Sequence, residues 1–211
     1  MSLIFILLIC SLLLCLPLHF LSVNHTKLNR MFEKEIAKKV GTILGLISGW
    51  GYFILLFLLW IVPQPNLIIP LLSIRIIQIP FVNIPIYLGN TILSIPFVAL
   101  SIYLGIIGVI GTTLEVSETH RPTEVIKEGI YSKIRHPQYM GAIMAHMGFS
   151  LLCSGLYAFL TIPIIVIYNY LISWKEEKEL VREFGEEYET YKEGVPMFIP
   201  KFWRSKNIRK N

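Results

Sequence analysis

Long apolar runs, separated by short charged or proline-rich segments, dominate the chain. Residues 3–21, 42–62 and 92–112 are each almost wholly apolar. A bilayer core takes about 20 helical residues to cross, so each run is expected to span a membrane. Residues 137–152 and 156–173 are two further apolar segments joined by Cys153-Ser154-Gly155. So tight a joint implies a helical hairpin whose two ends face the same side. The pattern therefore predicts an all-α, polytopic integral membrane protein with five transmembrane helices, forming a single domain over 1–211. From Trp174 onward Leu180, Phe184, Tyr188 and Tyr191 recur at helical spacing between charges. That predicts a C-terminal amphipathic helix lying on a membrane or on the protein itself.

The charged segments orient these spans. Lys27, Arg30, Lys34, Lys38 and Lys39 stand against Glu33 and Glu35 between the first two runs. Basic loops are retained on the cytoplasmic side, which places the N-terminus outside and the C-terminus inside. Residues 63–91 hold Pro63, Pro65, Pro70, Pro80 and Pro85 with Arg75 as their one positive charge. This segment is expected outside, as an interfacial or re-entrant piece. Glu115, Glu118, His120, Arg121, Lys127 and Lys133 then return the chain to the cytoplasmic side. The first run lacks a charged leader and a small-residue cleavage site, so it is read as a retained helix rather than a signal peptide. Gly45 and Gly49, four apart, would permit close helix contact.

Composition agrees and removes several classes of function. With 54% apolar residues and a formal charge of +5, the basic side chains suit topology and anionic head groups, and no nucleic-acid partner is expected. Cys10, Cys15 and Cys153 all lie in apolar runs and read as small buried hydrophobes. The chain has no aspartate, and His120, His136 and His146 lack a ligand spacing, so no metal site is expected. Neither a glycine-rich phosphate loop nor a Gly-x-Ser-x-Gly turn is present.

Chemistry concentrates in residues 129–141. Arg135 and His136 precede Pro137, whose fixed φ suits the first position of a helix, and a helix start carries unpaired N–H groups and positive potential. A hairpin would bring its exit, Glu176 and Glu177, back to that entrance. Arg135 can grip a carboxylate in two-pronged fashion, His136 can donate or accept, and a glutamate can bind an ammonium or ribose hydroxyls. Gly141 and Ala142 leave room for a ligand near the backbone. His146, deep in the apolar segment, either lines a pocket or bonds to a neighbouring helix.

The ordered set Gly129, Tyr131, Arg135, His136, Pro137, Tyr139 and Gly141, then Glu176, Glu177, Leu180, Phe184, Gly185, Tyr188 and Tyr191, then Val195, Phe198, Ile199 and Pro200, resembles the isoprenylcysteine carboxyl methyltransferase family. That family sits within a wider group of membrane methyltransferases that includes phospholipid methyltransferases. The resemblance implies S-adenosylmethionine bound by a membrane fold, with residues 129–200 as the cofactor region. It implies that His136, Tyr139, Gly141 and Glu176 hold the cofactor and that Arg135 and Glu177 serve the chemistry. It further implies a lipid-side entrance for the substrate, foremost the α-carboxylate of an isoprenylated cysteine. Phospholipid or lipid-amine methylation, an NADPH-dependent sterol-type reduction and a non-enzymatic scaffold are the alternatives. The membrane expected is the plasma membrane in a prokaryote and the endoplasmic reticulum in a eukaryote.

Overall fold

The computed structural model describes residues 2–113, 116 and 122–201. Eight helices are described: α1 (Leu3–Val23), α2 (His25–Met31), α3 (Lys34–Ile61), α4 (Leu88–Thr112), α5 (Pro137–Leu152), α6 (Leu156–Leu160), α7 (Ile162–Phe184) and α8 (Glu186–Gly194). Among the described residues three of them, α1, α3 and α4, are long and apolar enough to cross a bilayer. Their outward faces carry Ile4, Ile43, Phe53, Phe57, Ile95 and Ile106, all exposed, as lipid-facing side chains are.

The expectation of five spans is therefore corrected to three. At 1.5 Å per residue α5 reaches about 24 Å, short of a core of about 30 Å. The apolar part of α7 ends at Trp174, beyond which Lys175, Glu176, Glu177, Lys178 and Glu179 continue the same helix. α5 is apolar because it packs inside the protein, chiefly against α4, whereas α7 buries Ile165, Tyr168 and Ile172 and leaves Val166, Ile167 and Tyr170 exposed. Four contiguous residues of α5 show this well: Gly141, Ala142, Ile143 and Met144 are buried, as is His146 two positions on.

Small residues set the closest approach. A Cβ on Gly141 would lie 3.3 Å from both the Gly105 nitrogen and the Ser101 carbonyl of α4. One on Gly148 would lie 2.7 Å from Val98. The glycines of α4 and α5 thus let two backbones meet, as small residues do between apolar helices. Gly49 behaves otherwise: nothing lies within 4 Å of its Cβ position, so it opens space instead of closing a helix pair. The core proper joins Phe5, Leu12 and Cys15 of α1 to Tyr52, Leu56 and Leu59 of α3 and to Ile165, Tyr168 and Ile172 of α7.

Within residues 63–91 the chain takes up several short elements before α4 begins at Leu88. These are a 3-10 turn (Pro70–Leu72) and an antiparallel hairpin of β1 (Arg75–Ile79) and β2 (Ile84–Tyr87), with Ile79 opposite Ile84. The stretch before it is tied to the α5–α6 joint by Leu67 N–H donating to Ser154 O, 2.7 Å. Asn90 reinforces the tie, donating to the Leu67 and Leu151 carbonyls at 2.7 and 3.1 Å.

The C-terminal amphipathic helix is likewise two helices. Gly185, at φ +56°, ends α7 and turns the chain into α8. That left-handed conformation is open to glycine without Cβ strain. Leu180 and Phe184 belong to α7, whereas Tyr188 and Tyr191 lie on α8, buried against the protein rather than spread on a lipid surface.

Candidate active site

The entrance of α5 and the charged end of α7 meet, as the hairpin argument expects. Arg135 Nε donates to Glu177 Oε1 at 2.7 Å, and His136 Nε2 lies 3.2 Å from the same oxygen. Glu177 is 2% exposed. Burial alone would raise its carboxyl pKa, but the hydrogen bonds and positive charge of His136 and Arg135 win and hold it below the ordinary 4.5. Lys192 Nζ, 3.6 Å from Glu177 Oε2, adds a second cation from α8.

Arg135 is held through Nε and Nη1. Its Nη1 donates to the carbonyl of Lys192 at 2.9 Å and to that of Val195. The backbone of the late motif closes over the same turn: Arg135 N–H and His136 N–H donate to Pro196 O and Met197 O at 3.0 and 3.1 Å. Phe198 then sets its ring edge-on to His136 at 6.3 Å between centroids. The Val-x-x-Phe stretch is thus a strap that holds the start of α5 in place.

Glu176 faces a different neighbourhood. Tyr139 O–H donates to Glu176 Oε1, His19 Nε2 lies 3.3 Å from that oxygen, and His136 Nδ1 lies 3.7 Å from Oε2. Burial and the adjacent Glu176 carboxylate push the Tyr139 hydroxyl pKa well above 10.0, so it stays a donor. His19 in turn sits 3.3 Å from Ser48 Oγ on α3.

Two cavities flank this cluster. The polar one, about 120 Å³, is lined by Glu124, Tyr131, Arg135, His136, Glu176, Glu179, Glu183, Tyr188 and Tyr191 among others. The apolar one, about 380 Å³, is lined by His19, Gly45, Gly49, Tyr52, Phe53, Gly105, Val109, Ala142, Ala145 and Ile172 among others. Gln138 and Tyr139 line both. Tyr139, Glu176 and His19 therefore form the wall between a charged chamber and a greasy one.

Of the residues expected from sequence, Arg135, His136, Tyr139, Glu176 and Glu177 come together. Gly141 lies apart from the charged groups: it packs against α4 and lines the apolar cavity. His146 is a structural link, accepting from Trp60 Nε1 at 3.0 Å, with its Nε2 2.9 Å from Ala158 O. Glu115, Glu118, His120 and Arg121 lie outside the described residues. Sequence reading missed His19, Ser48 and Gln138; an isolated imidazole inside an apolar run was the one available signal for the first of them.

The donor set suits a sulfonium nucleoside with an amino-acid end. Carboxylates can hold its ammonium and ribose hydroxyls, and tyrosine faces can take its base and its positive sulfur. The sequence profile of the phospholipid methyltransferase family matches residues 82–187, just over half of the chain. Methanethiol S-methyltransferase 1 of Bradyrhizobium diazoefficiens is 36% identical over 75 residues, 36% of this chain and 25% of that relative. Protein-S-isoprenylcysteine O-methyltransferase of Schizosaccharomyces pombe is 30% identical over 86 residues, 40% of this chain and 36% of the relative. Its counterpart in Xenopus laevis is 33% identical over 95 residues, 41% and 29%. These matches thus span 25% to 36% of the relatives' own length. On the matched span, which holds Arg135, His136, Tyr139, Glu176 and Glu177, the chain belongs to the phospholipid methyltransferase family.

Proposed function

We propose that this protein transfers a methyl group from S-adenosylmethionine, held in the polar cavity, to the head of a lipidic acceptor whose tail occupies the apolar cavity. The observation that carries this reading is the shared wall: Gln138 and Tyr139 line both spaces, so a cofactor and a lipid tail placed there would meet at one point. Alignment of two reactants across so short a gap is itself a large part of catalysis. His136, Tyr139 and Glu176 hold the cofactor in this reading. Glu177 and Arg135 keep the entrance of α5 in register.

The state of Arg135 bears on the acceptor. Its Nε serves Glu177 and its Nη1 two carbonyls, so a two-pronged grip on a substrate carboxylate, which needs one of these beside Nη2, would displace a bond already made. We therefore favour an acceptor head that gives up a proton, a thiol or an amine, over one that arrives as a carboxylate. A thiol accords with the methanethiol S-methyltransferase relative, and an amine with the family's phospholipid substrates. The α-carboxylate of an isoprenylated cysteine is the second reading, favoured by the two isoprenylcysteine relatives.

The basic segment at the start of α3 supports a cytoplasmic mouth for the polar cavity. Thr26 of α2, beside that segment, donates to Glu179 at 3.3 Å, so site and positive charges share one side. The test is saturable binding of S-adenosylmethionine to purified protein, followed by labelled-methyl transfer to long-chain thiols, amines and prenylcysteine acids. Glu176→Gln is expected to weaken cofactor binding by about tenfold or more, the loss of one charge-assisted hydrogen bond. Folded protein that binds no S-adenosylmethionine would overturn the assignment.

A further inference from the structure

Two residues in the wall of the apolar cavity, Tyr168 and Asn169, each carry a buried polar atom with no hydrogen-bond partner among the described residues: the Tyr168 hydroxyl and Asn169 Oδ1. Asn169 is 0% exposed and Tyr168 2%. Turning the Asn169 amide over would not help. Its Nδ2 donates to the Ile165 carbonyl and to the Tyr52 hydroxyl, each at 2.8 Å, and a carbonyl only accepts, so the nitrogen end is fixed there. Tyr52 lines the same cavity with its ring stacked on that of Tyr168, 4.7 Å between centroids, and its own O–H can donate in turn.

A polar group left buried and unbonded is costly, and folded proteins hold few of them. The bond from Asn169 to Tyr52 ties α7 to α3, which accounts for the amide nitrogen. It does not account for the amide oxygen, nor for tyrosine at 168, where phenylalanine would stack on Tyr52 equally well. An occupant of the cavity that both donates and accepts would satisfy these atoms, and a bare hydrocarbon tail would not.

Their depth in the cavity follows from helix geometry. Asn169, Ile172 and Glu176 are spaced three and four apart, a single stripe of α7 that ends at the wall between the chambers. Seven residues at 1.5 Å set Asn169 about 10 Å from Glu176 along the helix. Tyr52 agrees from α3, since it follows by about one turn Ser48, which meets His19 beside Glu176. An extended chain gains at most about 3.6 Å over three bonds, so about 10 Å corresponds to about eight bonds.

We propose that Asn169, Tyr52 and Tyr168 form a polar subsite inside the apolar chamber, and that the acceptor lipid carries a hydroxyl, or another group that donates and accepts at one point, about eight bonds from the atom that is methylated. The hydroxyl donates to Asn169 Oδ1 and accepts from a tyrosine O–H. The subsite rests on the reading of the apolar cavity as the seat of the acceptor and holds for a thiol, amine or carboxylate head alike. Its three residues select the acceptor and take no part in the chemistry.

The test uses acceptors of one tail length, built on the head group that the parent methylates: the plain chain, and isomers with a hydroxyl about four, about eight or about twelve bonds from the head. In the parent, the isomer with the hydroxyl about eight bonds away is expected to have a KM about tenfold below that of the plain chain at similar kcat, the effect of one or two hydrogen bonds. Tyr168→Phe, which removes an oxygen that makes no bond within the protein, should bring that ratio toward one. Asn169→Leu should reverse it, because the hydroxyl would then be buried without its acceptor. A purely structural cluster would shift all the acceptors alike and leave the ratio as it is in both variants, and that result would overturn the proposal. So would a parent that prefers the plain chain, or one that gains equally from a hydroxyl at every position, since water would then be what meets these atoms. If Asn169→Leu does not fold, the ratio in Tyr168→Phe is decisive alone. A parent that binds S-adenosylmethionine but methylates no long-tailed acceptor would overturn the cavity reading and this inference together, and no cofactor binding at all would overturn the methyltransferase reading itself.

Discussion

The polar and apolar chambers share two side chains and are built by opposite means. The polar chamber is made by presence: carboxylates, imidazole, guanidinium and tyrosine hydroxyls converge from the ends of α5, α7 and α8. The apolar chamber is made largely by omission, from Gly45, Gly49, Gly105, Ala142 and Ala145, whose missing side chains leave room among α3, α4 and α5. Groups that must be paired to be buried leave a mark in sequence, because each charge needs a partner. A void between helices leaves almost none. The adjacent glutamates repeat the contrast on a smaller scale: Glu177 is sealed into an ion pair that organises the backbone, while Glu176 lies on the dividing wall.

That contrast can be broken at several points. The largest effect is expected for Glu177→Ala, which strands Arg135 and removes the contact of His136; loss of one partner from a buried pair costs about 3–5 kcal/mol. Thermal unfolding in detergent checks this, and a shift too small to resolve would mean that the pair does not organise the site. Acid should reproduce a milder form of the same loss. Because the folded carboxyl titrates below its ordinary 4.5, its contribution is fully present above that value. It falls away as pH drops through the folded value, and Glu177→Gln should flatten this limb of the stability curve. The smallest effect is expected for Lys127→Ala: its 2.6 Å pair with Glu187 is exposed on both sides, and such pairs contribute about 0–1 kcal/mol.

How far the sequence carried the structure follows the same division. Arg135, His136, Tyr139, Glu176 and Glu177 were legible, since a tight joint at residues 153–155 forces the hairpin's entrance and exit together. The number of spans was not. Apolar residues in 137–152 meet protein, and those in 162–173 are divided between a buried face and an exposed one, a difference that hydropathy does not show. The prolines of residues 63–91 correctly excluded a continuous helix, but the pairing of Ile79 with Ile84 has no local signature strong enough to announce a hairpin. At Gly49 the spacing misled, because glycine serves close contact and open space equally well and its Cβ position here meets nothing within 4 Å. His19 escaped because its contacts lie 120 and 157 residues away in the chain.

The central claim is that cofactor and acceptor occupy separate chambers that meet at Tyr139, and Gly49→Leu tests it most directly. The position has open space at Cβ, and leucine favours a helix over glycine by about 1 kcal/mol, so the variant should fold. Its side chain would project into the apolar chamber 30 residues in sequence and one helix away from His19 but into none of the groups lining the polar one. The measurement is the dissociation constant for S-adenosylmethionine beside the KM for a series of acceptors of increasing tail length. The account expects unchanged cofactor binding and a KM that rises with tail length, by about tenfold for the longest. A variant that loses cofactor binding, or that handles every tail length as the parent does, would contradict it.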